Sequence, residues 1–160
     1  MPPDAATTTD GTLERTDVGS RLRFARRLDH PPEAVWGALT EPERLARWLG
    51  RATLQPERGG SFQLRWDETG ALAHGTVVAF DPPSRFAYDS DSQGEVAFSL
   101  QPDGEGTLLE LVNVVPSVDP PEGNLAGWHQ HLDLLERELA GDPGSWDRER
   151  WEELRRRYAG

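Results

Sequence analysis

Residues 125–139 read LAGWHQHLDLLEREL, and this stretch decides how the rest of the chain can pack. Its large apolar residues recur at spacings of three and four, which places them on one face of an α-helix. The helix is expected to end near Gly141, because glycine commonly follows the last helical turn. An apolar helix face must be buried, so the helix has to lie on a sheet. The residues on that face are Leu125, Trp128, Leu132, Leu135 and Leu139.

The chain upstream of this helix alternates between apolar and polar residues in short runs. Turn residues such as Gly59-Gly60 and Asp103-Gly104 separate the runs. This pattern is typical of an antiparallel meander in which each strand buries one face. We predict six strands in this region, at residues 51–56, 61–66, 72–80, 85–90, 95–101 and 107–115.

One more strand is predicted from Ser20, and it stops at His30-Pro31-Pro32. Proline fits the first turn of a helix, so two short helices follow, and the second ends at Gly50. The chain is therefore predicted to be an α+β protein, with a curved antiparallel sheet of six to seven strands around a long C-terminal helix and two short helices after the first strand. Alternation in the first strand places four residues on one face: Leu22, Phe24, Arg26 and Leu28.

The two ends of the chain differ from its middle. Residues 1–19 are rich in Thr, Asp and Pro and hold few large apolar groups, so we expect a flexible N-terminal arm. One domain is expected over residues 20–141. Residues 142–160 form a C-terminal extension, in which the spacing of Trp151, Leu154 and Tyr158 predicts a short helix.

Composition excludes several classes of function. The 160 residues include 17 basic and 28 acidic side chains, a net charge of −11, which is unlike the basic surface of a nucleic-acid-binding protein. Cysteine is absent, which removes disulfides and cysteine-ligated metals. No apolar run is long enough for a membrane span, and the N-terminus does not resemble a signal peptide. We expect a cytoplasmic protein that binds neither nucleic acid nor a cofactor.

Several segments together resemble the START-like, or SRPBCC, helix-grip domains. The likeness is to the branch named for activators of the heat-shock chaperone ATPase, the AHSA type, and it covers residues 20–141. A helix-grip fold with an interior pocket for an apolar ligand is what this resemblance implies. The segments that carry it are HPPEAVW at 30–36, LTEPERLARWL at 39–49, GGSF at 59–62, GTV at 75–77, DPPSRF at 81–86, GTLLEL at 106–111 and Gly127-Trp128.

Two departures from the family pattern limit what the resemblance implies. Relatives often carry a histidine where this chain has Asn113, so chemistry that needs an imidazole there does not transfer. Full activators also have an N-terminal domain that contacts the chaperone, and this chain has the arm 1–19 in its place. Chaperone activation is therefore not implied.

Three polar residues are candidates for orienting a ligand. Arg26 lies on the apolar face of its strand, where it meets either a ligand anion or an acidic residue of the chain. Asn113 is expected to face inward and needs a partner, which is a ligand group, a buried water or a loop backbone group. His131 lies beside the apolar stripe and points into the cleft or is a partly buried histidine with an ordinary hydrogen bond. His129 and His131 are two residues apart on a helix and cannot share a metal ion.

The walls of the expected pocket come from the apolar faces of the sheet and the long helix. Packing alone accounts for these residues as well, because most aromatic side chains of a small domain belong to its core. No nucleophile elbow, zinc-protease motif or phosphate-binding loop is present, so no catalytic residue or metal site is predicted. The wall residues are Phe24, Phe62, Leu64, Trp66, Val96, Phe98, Leu111, Trp128, Leu132 and Leu135.

Three functions fit the pattern. The first is the binding of an apolar, lipid-like or polycyclic small molecule between the sheet and the long helix. The second is a protein-interaction or co-chaperone module of AHSA type with a filled interior. The third is a cyclase- or hydrolase-like enzyme that uses a pocket histidine. The sequence specifies neither the ligand nor an oligomeric state.

Overall fold

Eight antiparallel strands and four helices make up the protein in the computed structural model, which describes residues 10–17, 19–66, 68–116 and 121–160. The strands are β1 (Thr12–Thr16), β2 (Gly19–Leu28), β3 (Arg51–Leu54), β4 (Ser61–Arg65), β5 (Leu72–Asp81), β6 (Arg85–Ser90), β7 (Gly94–Asp103) and β8 (Gly106–Val115). The helices are α1 (Pro32–Thr40), α2 (Pro42–Leu45), α3 (Glu122–Leu139) and α4 (Arg148–Ala159).

A single sheet contains all eight strands, in the order β1-β2-β8-β7-β6-β5-β4-β3. The meander from β3 to β8 pairs each strand with the next, and β2 then pairs with β8. A β-bulge in β5, between Val77 and Ala79, shifts the register with β6. Bulges of this kind bend the strand that carries them, and α3 packs across the resulting curved sheet. The predicted α+β helix-grip architecture is confirmed.

The sheet has one strand more than the upper limit of the prediction, because part of the expected flexible arm is ordered. Residues 12–16 form β1, which pairs with the edge of β2 from Thr12 opposite Arg23 to Thr16 opposite Gly19. Strand pairing uses backbone groups and does not require large apolar side chains, so the composition of this segment did not reveal the strand. Residues 1–9 and 18 of the arm lie outside the described residues.

The middle of the space between sheet and helix is filled by side chains. The rings of Phe62 and Tyr88 stack with centroids 3.9 Å apart, and those of Phe86 and Phe98 stack at 6.2 Å. Leu132 and Leu135 of α3 are buried against this cluster. The centre of the domain is therefore packed. Within the described ranges, none of the helices has the length and apolar character needed to cross a membrane.

The C-terminal extension is part of the folded structure. Its helix α4 packs on α3, and the Tyr158 hydroxyl accepts a hydrogen bond from the Gly11 backbone N–H at 2.9 Å. The same hydroxyl is hydrogen-bonded to Nδ1 of His129 at 2.7 Å. Tyr158 thus joins α3, α4 and the segment that leads into β1.

Replacing Tyr158 with phenylalanine is expected to lower the free energy of unfolding by about 1–2 kcal/mol, because it removes two hydrogen bonds between partly buried groups. Urea unfolding measures this loss, and faster hydrogen exchange at the Gly11 amide locates it. Arg157→Gln is the matched control. This substitution breaks the ion pair between Arg157 and Asp10, whose side chains are 54% and 40% exposed, respectively. It is expected to lower the free energy of unfolding by less than about 1 kcal/mol. Equal losses in the two variants would contradict the role given to the hydroxyl.

Candidate functional site

A cavity of about 610 Å³ lies between the first half of α3, the turns at one end of the sheet, and the C-terminal extension. Four of the six tryptophans of the chain line it, and we call it the tryptophan cavity. Trp66 follows β4, Trp128 lies on α3, Trp146 belongs to the segment that leads to α4, and Trp151 lies on α4. The cavity is thus assembled from three regions that are distant in sequence.

Asn113 holds one wall of the tryptophan cavity in place. Its side-chain amide donates to the backbone carbonyls of Gln93 and Glu95, both at 2.9 Å. Its carbonyl oxygen accepts a hydrogen bond from the indole N–H of Trp128 at 3.0 Å. Of the three partners considered from the sequence, the structure shows the loop backbone. Asn113 therefore connects β8, the β6–β7 turn and α3.

His131 borders the tryptophan cavity with one ring nitrogen already engaged. Nδ1 lies 2.9 Å from the backbone oxygen of Trp48, and a carbonyl oxygen can only accept, so Nδ1 carries the proton. Burial lowers the pKa of His131 from 6.5 to about 4, so the ring is neutral at neutral pH. A neutral ring protonated at Nδ1 has no proton on Nε2. His131 therefore offers a hydrogen-bond acceptor.

Two glycines of α3 let the extension approach the helix closely. A Cβ atom at Gly123 would lie 3.4 Å from the Trp151 ring, and one at Gly127 would lie 3.9 Å from its Nε1. The indole N–H of Trp151 donates to the Gly123 carbonyl at 3.1 Å. Trp146 packs against His131 with ring centroids 4.7 Å apart. The extension thus contributes two positioned indoles to the cavity wall.

Of the thirteen predicted pocket residues, four line the tryptophan cavity: Trp66, Asn113, Trp128 and His131. Eight others lie in the packed core, each at most 1% exposed, and do not border it. They pack against one another at the centre of the sheet, where apolar alternation is strongest. These eight are Phe24, Phe62, Leu64, Val96, Phe98, Leu111, Leu132 and Leu135.

Arg26, the remaining candidate, contacts acidic residues of α3. Its guanidinium donates to Asp133 at 2.6 Å and to Glu136 at 2.8 Å, and its side chain is 4% exposed. The structure therefore shows the acidic-partner alternative for this residue, away from the tryptophan cavity. His129 also lies apart from His131, with Nδ1 on Tyr158 and Nε2 3.7 Å from Asp133. Burial lowers the pKa of His129.

Ten lining residues were not selected from the sequence. The periodicity of the 142–160 extension does not show where it packs, although two tryptophans in so short a segment indicate that it buries apolar surface. Gly123 and Gly127, four residues apart where the long helix begins, are a second signal. The polar lining residues carry no pattern that sets them apart from ordinary turn residues. The ten are Glu68, Thr69, Ser92, Gln93, Gly123, Asn124, Gly127, Trp146, Arg148 and Trp151.

The sequence profile of one family matches most of the domain. It is the family described as "Activator of Hsp90 ATPase homolog 1-like protein", and the match extends over residues 29–140. None of the curated proteins matches the chain significantly.

Several solved structures are similar to this one over most of its length. The crystal structure of CalU16 from Micromonospora echinospora is 27% identical over 94% of this chain and 95% of its own, with a TM-score of 0.75. EF2215 from Enterococcus faecalis, a conserved protein of unknown function, is 17% identical over 93% of this chain and 88% of its own, with a TM-score of 0.76, and shows the fold alone. DynU16, a protein in the dynemicin biosynthetic locus, is 26% identical over 79% of this chain and 50% of its own, with a TM-score of 0.66.

Proposed function

Because the chain belongs to the activator of Hsp90 ATPase homolog 1-like family, whose fold accommodates an interior pocket, we propose that it binds an apolar small molecule in the tryptophan cavity. The observation that carries the proposal is the cavity of about 610 Å³ with four indoles in its wall. Ligand sites of a few hundred cubic ångströms with aromatic walls and a small number of polar groups are common.

The polar groups of the tryptophan cavity support this proposal. Asn113 is fully engaged by Gln93, Glu95 and Trp128, so it stiffens the wall and has no donor to spare for a ligand. His131 retains an acceptor nitrogen. An apolar surface interrupted by few polar groups binds a ligand that is itself mainly apolar. The similarity to DynU16, from a biosynthetic locus, agrees with a small organic molecule as ligand.

The cavity can be blocked without moving the backbone. A side chain at Gly127 starts 3.9 Å from the nearest indole and points into the open space, so Gly127→Phe is expected to weaken ligand binding at least tenfold. Gly127→Ala is the matched control, because it adds one methyl group, keeps most of the space, and stabilises the helix by up to about 1 kcal/mol. N-phenyl-1-naphthylamine, a neutral dye that fluoresces in apolar surroundings, reports the binding.

We expect the dye to saturate one site per chain in the wild type and in Gly127→Ala. Equal affinity for Gly127→Phe and Gly127→Ala would contradict binding in the tryptophan cavity. Native mass spectrometry of the protein purified from its own host provides the second readout. A retained non-protein mass that the Gly127→Phe variant lacks would identify a natural ligand.

A protein-interaction module of AHSA type is the second candidate function. The observation that favours it is the filled centre of the domain, where eight predicted wall residues are packed together. Under this alternative the Gly127→Phe variant binds its protein partner as the wild type does, and the dye does not saturate. An enzymatic role for His131 has less support, because a pKa of about 4 makes the ring a weak base at neutral pH.

A further inference from the structure

His131 lies where two cavities adjoin. Besides the tryptophan cavity, a second space of about 440 Å³ lies on the side of α2 and β3, and His131 and Trp146 border both. Because Nδ1 is held by the Trp48 carbonyl, Nε2 is the nitrogen left at this junction. No residue in the described part of the chain donates a hydrogen bond to Nε2. Nε2 is therefore an acceptor that faces the open space and is available to a bound ligand.

The indoles around this nitrogen favour a flat ring over a flexible chain. Trp128 and Trp146 both pack against His131, with ring centroids at 6.1 and 4.7 Å from it. Aromatic rings gain energy from stacked or edge-to-face contact beyond the burial of their area, which an acyl chain does not. A planar ligand also loses less conformational freedom on binding than an acyl chain of similar size.

The charges at the tryptophan cavity favour a neutral ligand. Its one arginine, Arg148, has a side chain that is 85% exposed and lies 3.5 Å from Glu152. The other charged lining residue is Glu68, which repels an anion. The net charge of −11 adds a long-range repulsion of anions. A carboxylate or phosphate would therefore find no buried cation among the described lining residues.

We infer that the ligand is a neutral, planar aromatic compound that carries a hydroxyl or N–H group and donates a hydrogen bond to Nε2 of His131. This inference rests on the proposed function and names the class of its ligand. A compound of the same shape that cannot donate covers Nε2 without replacing the hydrogen bond that water gives it in the open cavity. Such a loss is expected to weaken binding about five- to tenfold, which corresponds to one hydrogen bond in a buried site.

A matched pair of compounds tests the inference. 2-Naphthol and 2-methoxynaphthalene share the same ring, and only the first can donate a hydrogen bond. Calorimetric titration of the wild type is expected to give about five- to tenfold tighter binding for 2-naphthol. 2-Naphthoate provides a third arm, and we expect it to bind more weakly than 2-naphthol. A ratio near one between the first two compounds, or tightest binding by 2-naphthoate, would overturn the inference.

His131→Asn supplies the protein side of the test. The asparagine amide takes the place of Nδ1–H toward Trp48 but has no group at the position of Nε2, so the preference for 2-naphthol should fall below about twofold. His129→Asn is the matched control, since it changes a buried histidine of the same helix that does not border the tryptophan cavity, and it should keep the preference. A preference that persists in His131→Asn would overturn the inference.

Two further outcomes separate this inference from the proposed function. If both compounds bind, Gly127→Phe blocks both, and the wild type does not distinguish them, the ligand class is wrong while the cavity remains the binding site. If neither compound nor the dye binds, both proposals fail. The comparison of the two compounds uses the wild-type protein and does not depend on the folding of a variant. The nitrogen-15 resonance of His131 Nε2 reports the hydrogen bond from the ligand directly. It should shift with 2-naphthol and not with the methyl ether.

Discussion

Asn113→Leu is expected to lower the free energy of unfolding by about 3–4 kcal/mol, although the two side chains are similar in size. The substitution leaves three partners without their hydrogen bonds, namely the Gln93 and Glu95 carbonyls and the Trp128 indole N–H. Trp128 is buried, so its N–H gains no water in exchange. An unsatisfied indole N–H in this buried position costs about 1–3 kcal/mol, and each of the two part-buried hydrogen bonds to the carbonyls contributes about 0.5–1.5 kcal/mol. Urea unfolding at neutral pH measures the loss.

Asn124→Leu is the matched control, because Asn124 lines the same cavity but is exposed. It is expected to change stability by less than about 0.5 kcal/mol. Trp128→Phe in the Asn113→Leu background removes the orphaned N–H, so the double variant should be more stable than the sum of the single losses by about 1 kcal/mol. A loss in Asn113→Leu as small as that in Asn124→Leu would show that these hydrogen bonds do not hold the wall.

Acidification is expected to remove about 2–3 kcal/mol of stability between pH 7 and pH 4.5 through His131 alone. Burial lowers the pKa of His131 in the folded protein from 6.5 to about 4. Between these two values the unfolded chain binds a proton at this residue and the folded chain does not. The contribution of the neutral His131 to the free energy of unfolding is therefore fully present above pH 6.5. It decreases as the pH falls from 6.5 to 4, and below pH 4 it does not change further.

His131→Asn isolates this contribution. The variant retains a donor for the Trp48 carbonyl and cannot titrate, so its stability should fall less steeply than that of the wild type over the same range. Both proteins have the same carboxylates, so the pH dependence of stability that comes from the carboxylates is the same in both. His74→Asn, at an exposed histidine of β5, should follow the wild type. Parallel pH profiles for His131→Asn and the wild type would contradict the buried, neutral histidine.

The fold could be predicted because its signals are local. The three- and four-residue spacing of Leu125, Trp128 and Leu132 defined α3, and the alternation of Phe62 and Leu64 defined β4. The resemblance to AHSA-type domains was confirmed by the family match over residues 29–140. The strand β1 was missed, because its backbone pairing with β2 leaves no apolar alternation to detect.

The site was predicted less well than the fold. Residues with the strongest apolar pattern, such as Phe98 and Leu111, pack at the centre of the sheet. Apolar alternation shows which side chains are buried, and it cannot distinguish a core contact from a cavity wall. Trp146 and Trp151 reach the cavity from the extension, and no local pattern reports how that segment packs on α3.

By itself the sequence determined the order of the helices and of the strands after β1, the faces that they bury, and the family, because periodicity and turn chemistry act over a few residues. Only the tertiary structure decided where open space remains. The tryptophan cavity exists because α4 packs across Gly123 and Gly127 while Asn113 holds Trp128 against the β6–β7 turn. Such a space depends on contacts between residues far apart in the chain, and their packing distances are not encoded in any one segment.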